Sequence, residues 1–520
     1  MIKKNNFIFR LVLIIFVIGI YFFSRLQNLT AIPVFGDEAI YIRWSQIIKN
    51  VDTLRFLPLT DGKQPLFMWL TSINLRFITN PLIAGRLISV LAGFKIMVGI
   101  FLTTCILMSF SKNEKNPLKF IFSSIKDNFY PGIFTSFIYI FLPFSFFFDR
   151  LALPDNTLSL FGIWSLFLSL LLAKFRRLDL ALLLGMVLGL AWLTKSPAIY
   201  FIVLACFTYL VLNLNHLKTI YLPLISGFLA FVIYNILRLG PQFQMIALRN
   251  RDYVWSLGEI LKHPLDPLKP HLGDTLAIFS QYISWPILIF ALLGLILFFI
   301  KKIRNSKPCL PAGRLDIRYL ILASWCFLPL LADCAIAKVF TARYILYILP
   351  SLIILISFAI SIFFKNNLIK LIFLFILLIP NILWIKNISL SPFTVHLPNT
   401  EKGYLEDWTS GWGIKESADF LKTRALQKNI IVGTEGNFGT LPDGLQIYTD
   451  HVNQLTVVGL GLGFTQIPSN LTNAFKYGDE VYILINKSRL TISSLDQDKL
   501  KLIKSYPKPA NDQLLLYQLQ

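Results

Sequence analysis

The sequence predicts a polytopic α-helical membrane protein of about eleven spans, followed by a C-terminal α/β domain. Three observations lead there. Of 520 residues, 55% are hydrophobic and only 15% charged, where a soluble domain carries roughly 25% charged residues; the mean hydropathy is +0.64. Apolar runs of crossing length recur from the N-terminus to about residue 387. Beyond residue 397 the chain becomes far more polar, and short β-type runs replace long apolar ones.

The spans are expected near 7–24, 82–109, 130–148, 156–173, 179–194, 198–214, 219–237, 280–300, 319–337, 343–364 and 367–387. Lys3, Lys4 and Arg10 precede or open the first, and no small-residue cleavage site follows it, so it is read as a retained anchor with its amino terminus inside. Alternation then places five basic loops on the inner face. They hold Lys112, Lys115, Lys119 and Lys126; Lys174, Arg176 and Arg177; His216 and Lys218; Lys301, Lys302, Arg304, Lys307, Arg314 and Arg318; and Lys365. The outer face receives 25–81, 149–155, 195–197, 238–279, 338–342 and everything after about 388. The expected location is the cell (plasma) membrane, multi-pass, among membrane lipids, with the C-terminal domain extracytoplasmic.

The net charge of +21 raises the question of nucleic acid. Its distribution in short loops between apolar runs is topogenic, and no nucleic-acid-binding motif accompanies it, so that class is set aside. The five cysteines (Cys105, Cys206, Cys309, Cys326, Cys334) and five histidines are scattered, with no CxxC, which argues against a disulfide framework or a zinc site.

The first outer loop, 25–81, is patterned. Residues 37–49 are expected to form a helix with Ala39, Ile40, Trp44 and Ile47 on its apolar side. Residues 66–78, opening after Pro65, form a second apolar stretch, short for a span and read as lying along the interface. A crossing there would put every later basic loop outside. Between the two stands Asp61-Gly62-Lys63-Gln64-Pro65-Leu66.

Candidate functional residues concentrate on this face. Asp37 and Glu38 put adjacent carboxylates where the first span meets water, and acids near a bilayer are costly. Such an acid takes a proton from a hydroxyl or holds a metal ion; acids in the first turn of a helix are the plainer reading. Asp149-Arg150 and Asp155 interrupt strongly apolar sequence, and such groups need partners or a water-filled cavity. Arg150 has the competing reading of an ion pair with Asp149, and Asp155 that of a helix cap. Lys195, Arg249, Arg251, Lys338 and Arg343 share the face.

Taken together, the acid pair Asp37-Glu38, Lys63-Gln64-Pro65-Leu66, Gly85-Arg86-Leu87-Ile88-Ser89, the run 149–155, Gly189-Leu190-Ala191-Trp192-Leu193-Thr194-Lys195 and Ala342-Arg343-Tyr344 with Pro350 resemble the C-type glycosyltransferases of the protein O-mannosyltransferase and aminoarabinose-transferase superfamily (glycosyltransferase family 39-like). The resemblance covers roughly 1–390. It implies an integral membrane enzyme that moves one sugar from a polyprenyl-phosphate carrier to an acceptor on the non-cytoplasmic face. It implies catalytic roles for Asp37, Glu38 and Asp155, with Asp37 as base or acceptor-arranging acid, and places Lys63 near the donor phosphate. The chain departs from relatives at Gln64, where many carry proline, and at Ile40, where some carry arginine; the nearest arginine is Arg43.

Residue chemistry agrees with that implication. A carboxylate deprotonates the attacking hydroxyl. Lys63, Arg343, Arg150, Arg249 and Arg251 are the candidates for stabilising the anionic phosphate. The resemblance further implies a single inverting displacement. Asp37 and Asp155 are also the candidate ligands for a divalent cation, Mg or Mn, although no ligand set demands one. The sugar and the acceptor, whether lipid, glycan or protein, stay open. The rival function is a transporter or flippase of lipid-linked sugars, which calls for polar residues through the depth of the spans and on both faces.

The C-terminal domain is expected over 397–520, with strands at 429–433, 455–458 and 480–485 and helices at 413–427 and 466–476. Residues 404–413, aromatic and Gly-rich, read equally as a linker or as the lining of an acceptor cleft.

Overall fold

The computed structural model describes residues 2–305, 314–364 and 366–520. Cys309, Lys307 and Lys365 lie outside the described residues, as do the side chains of Lys301, Lys302, Arg304 and Arg314.

All eleven expected spans are helical. Among the described residues, eight helices are long and apolar enough to cross a membrane. A ninth, Phe129–Phe141 followed by Pro143–Asp149, is bent by 66°. Leu178–Thr194 and Ser196–Leu212 are apolar but shorter. The bend has a local cause. Proline disfavours helical backbone in the residue before it, and Leu142 is accordingly extended at φ −80° and ψ 128°. Proline also opens α4 (Pro81–Met108), where the Asn80 side chain accepts from the Leu82 and Ile83 amides. The inner helices are α4, Pro154–Phe175 and Ala342–Ser361, 67%, 78% and 83% buried; α1 (Ile2–Leu26) runs along the outside, only 11% buried over its span.

Two helices of the first loop stay at the surface of this bundle. The second, α3 (Leu66–Asn74), has nine residues, about 13 Å of helix against a hydrocarbon core of about 30 Å, so it cannot cross. The first, α2 (Gly36–Asn50), buries Ala39 as expected, but also Glu38, Tyr41, Ile42, Ser45 and Ile48, while Ile40, Trp44 and Ile47 are half-exposed. The apolar face is turned from the expected one because α2 has neighbours besides α3. α4 packs on it from the membrane domain and Asp443–Thr449 from the C-terminal domain.

The C-terminal sheet has the order β2-β1-β3-β5-β4. β1 (Ile430–Thr434), β2 (Leu455–Gly459) and β3 (Glu480–Asn486) are the expected strands and run parallel. β4 (Leu500–Pro507) and β5 (Gln513–Leu519) add an antiparallel edge that the sequence reading did not include. The two expected helices are Ile414–Ala425 and Ser469–Lys476. The joint at 404–413 is packed against the start of α2 rather than free. The Gly36 amide donates to the Thr409 carbonyl at 3.0 Å and the Gly411 amide to that of Val34 at 2.8 Å, and Tyr404 is buried against Phe35 with ring centroids 4.3 Å apart.

Candidate active site

A cavity of about 250 Å³ opens where the first loop meets the helix bundle. Four elements bring charge to it: α2 with Asp37, the turn with Asp61 and Lys63, the segment 194–200 with Lys195, and the stretch 333–344 with Asp333 and Arg343. A fifth, the helix Met245–Tyr253, closes the side with Arg249 and Tyr253. The turn is held close by Gly62, whose φ is +67° and whose added Cβ would lie 2.7 Å from the Met245 carbonyl oxygen.

Within the cavity most charges are matched. Arg343 Nη1 lies 2.5 Å from Asp37 Oδ2, and Arg249 Nη2 lies 2.7 Å from Asp61 Oδ1. Lys195 Nζ lies 2.5 Å from Asp155 Oδ1 and sits over the Tyr344 ring at 4.2 Å from its centroid. Asp155 stands just behind the lining, 3% exposed. Burial raises the Asp37 carboxyl, but Arg343 first, then Lys63 and Lys195, outweigh it and hold the acid below its ordinary 3.8. Asp37 is therefore ionised at neutral pH and remains 31% exposed to the cavity, the state a general base needs.

Lys63 is different. Its Nζ donates to the Tyr253 hydroxyl at 2.8 Å and lies over that ring at 4.3 Å. Burial, followed by Asp61 and Asp37, raises the Tyr253 phenol and keeps it protonated. Among the described residues, Lys63 is the one basic group of the cavity lining without a carboxylate within 4.0 Å.

Besides Asp155, three of the expected residues lie outside the cavity lining. Glu38, expected beside Asp37 in the chemistry, points into the protein. Its fully buried carboxylate accepts from Arg86 Nε and Nη2 at 2.9 and 2.8 Å and from the amides of Phe35 and Ala152 at 3.1 and 2.6 Å. Arg150, expected at the donor phosphate, is buried and donates to the Asn28 carbonyl and to Ser389 Oγ. It is not Asp149's partner either, since Asp149 pairs with the buried Arg25 at 3.1 Å. Arg251 is exposed outside the lining. Asp333, Tyr253 and Tyr200 line the cavity without having been singled out by the sequence. Glu401, also not singled out, accepts from the Ala342 amide at 2.8 Å, next to Arg343.

The residues fit a metal poorly. Asp37 and Asp155 each already face a base at 2.5 Å, and no group of three or more potential His, Cys, Asp or Glu ligands occurs among the described residues.

Comparison with known proteins bears on the same region. Residues 118–237, which carry Asp155 and Lys195, match the family model of dolichyl-phosphate-mannose-protein mannosyltransferases. No curated protein matches the chain by sequence. Among solved structures, the chain is similar to ArnT from Cupriavidus metallidurans bound to undecaprenyl phosphate, with a TM-score of 0.55 and 13% identity over 97% of each chain. It is equally similar to the apo state of that protein, at TM-score 0.55 and 13% identity over 99% of this chain and 98% of that one. The chain thus shares its whole-chain fold with ArnT, and its segment 118–237 is similar to the dolichyl-phosphate-mannose-protein mannosyltransferases.

Proposed function

We propose that the protein is a glycosyltransferase that moves a sugar from a polyprenyl-phosphate donor to an acceptor hydroxyl on the outer face of the membrane. The observation that carries this reading is one cavity with an ionised, accessible carboxylate, Asp37, and a cation, Lys63, that among the described residues has no carboxylate within 4.0 Å. A cation held by a neutral phenol is free to take an anionic ligand. The undecaprenyl phosphate bound by ArnT, which shares this fold, is a ligand of that kind.

In this reaction Asp37 takes the proton of the acceptor hydroxyl as its oxygen attacks the anomeric carbon. The bond from that carbon to the phosphate oxygen breaks, and the polyprenyl phosphate leaves with the electron pair. Lys63, assisted by Arg343 and Arg249, stabilises the charge that builds on it. Lys195 holds Asp155 beside the site. With one base and no covalent nucleophile, the displacement inverts the anomeric centre. No step is assigned to a metal.

The test pairs two variants. Asp37→Asn lowers transfer by roughly 10²–10⁴, the range for a lost general base, while undecaprenyl phosphate still binds. Lys63→Ala weakens that binding. Transfer is read by mass spectrometry of the surface glycans of a deletion strain carrying each variant. Glycans restored to normal by Asp37→Asn would remove the base.

A further inference from the structure

One carboxylate at the cavity has no basic partner. Asp37, Asp61 and Asp155 are paired with Arg343, Arg249 and Lys195. Asp333, near the end of the helix Ile317–Ile336, lines the same cavity and meets no cation within 4.0 Å among the described residues. Two phenols hold it instead: Tyr200 donates to Oδ1 at 3.0 Å and Tyr347 to Oδ2 at 2.6 Å. An acid at that depth is kept where it faces a water-filled cavity or a ligand. A carboxylate offers about four acceptor positions. With one taken on each oxygen, each oxygen keeps acceptor capacity for a further hydroxyl.

The backbone fixes where this acid stands relative to the segment that carries Tyr253. Residues 253–255 pair with 336–338: the Lys338 amide donates to the Tyr253 carbonyl and the Trp255 amide to that of Ile336, both at 2.8 Å. Tyr253 is the partner of Lys63. The Ala337 amide donates to the Asp333 carbonyl at 2.9 Å, so Asp333 is one helical turn away from this pairing, about 5.4 Å along the axis. Lys63 and Asp333 line the same cavity, so a sugar carried on a phosphate at Lys63 occupies the space that Asp333 also faces.

We propose that Asp333, clamped by Tyr200 and Tyr347, is the sugar-recognition site of the cavity and accepts hydrogen bonds from two neighbouring hydroxyls of the donor sugar. The inference rests on the polyprenyl-phosphate-sugar reading and narrows it to sugars with a free vicinal diol. The tyrosines hold the carboxylate plane, so that both oxygens are presented at once.

Full-length protein in detergent is titrated with undecaprenyl phosphate and with the same carrier bearing mannosyl, glucosyl, galactosyl or amino-sugar units. The wild type binds at least one glycosylated carrier more tightly than the bare one. Asp333→Asn reduces that margin by about tenfold or more, as expected for a charge-assisted contact, and leaves the bare carrier within about twofold. Tyr200→Phe and Tyr347→Phe each remove part of the margin and carry the test if Asp333→Asn fails to fold. Equal weakening of bare and glycosylated carriers, or an unchanged margin, overturns the proposal. A margin seen only with an amino-sugar carrier replaces the diol by an ammonium group and overturns it too. A wild type that binds no carrier at all removes the donor reading itself, and this inference with it.

Discussion

Asp37 and Glu38 are adjacent in sequence, yet their substitutions should fail in opposite ways. The Glu38 carboxylate takes four hydrogen bonds: two from Arg86 and one each from the Phe35 and Ala152 amides. It thereby ties the start of α2, which carries Asp37, to α4 and to the loop before Asp155. Both members of the Glu38–Arg86 pair are fully buried. Glu38→Gln keeps the volume, withdraws the charge and turns an NH₂ group toward N–H donors. Breaking a buried pair from one side costs about 3–5 kcal/mol. Asp37 is 31% exposed and Arg343 13%, so Asp37→Asn stands nearer the exposed-pair range of up to about 1 kcal/mol. Thermal unfolding in detergent, with transfer measured per folded molecule, separates the two. Glu38→Gln lowers stability sharply and leaves the surviving molecules active; Asp37→Asn leaves stability nearly intact and abolishes turnover. Arg86→Lys resembles Glu38→Gln, because one ammonium cannot replace a guanidinium that also reaches the carbonyls of Leu29, Ile32 and Pro33. A fully stable, inactive Glu38→Gln protein would refute this division of labour.

Three further outcomes are expected. Burial pushes the Glu401 carboxyl from 4.5 up to about 7, against the opposing Ala342 amide and Arg343; the folded state then holds a proton the unfolded chain has lost, so Glu401's contribution to stability falls as pH rises across that window, by at most about 1.4 kcal/mol per unit, and Glu401→Gln flattens a melting-versus-pH series there. Cysteines replacing Asp61 and Asp450 should both react with an impermeant thiol reagent from outside, since α2 lies beside the cavity turn and binds Asp450 through Arg43, whereas a cysteine replacing Arg177 should not; outside labelling at 177 would overturn the topology. Because Asp37 and Asp155 already face bases, EDTA should leave transfer unchanged; a loss restored by Mg or Mn would bring a metal back.

The spans and much of the cavity were legible because hydrophobic length and loop charge sort residues by membrane face. That sorting placed Asp37, Lys63, Arg249 and Arg343 on one side, and the fold brings all four to one cavity. It could not separate Asp37 from Glu38, since successive residues on a helix point about 100° apart and only the packing on α4 decides which faces the cavity. Arg150 next to Asp149 suggested a local pair; the bend after Leu142 and the arrival of Arg25 gave Asp149 another partner. β4 escaped notice because it is an edge strand with Lys501 and Lys504 exposed, a composition that protects edges and hides them from pattern reading. Asp333 and Tyr253 carry no local signal at all. Their significance lies in what stands next to them, and that contact joins segments about eighty residues apart.

The shared position of α2 limits how far this protein can be treated as two modules. Its cavity-facing acid sits on a helix gripped on one side by α4 and on the other by Asp443–Thr449, with Gln46 donating to the Ile447 carbonyl at 2.8 Å and Gly36 pinned to Thr409. Trimming the chain after residue 390 would strip that helix of its contacts with Asp443–Thr449 and Thr409 and leave it only those with the membrane domain. A chimera that imports another C-terminal domain would have to import a matching α2 with it, so the helix that carries Asp37 belongs to both parts of the chain at once.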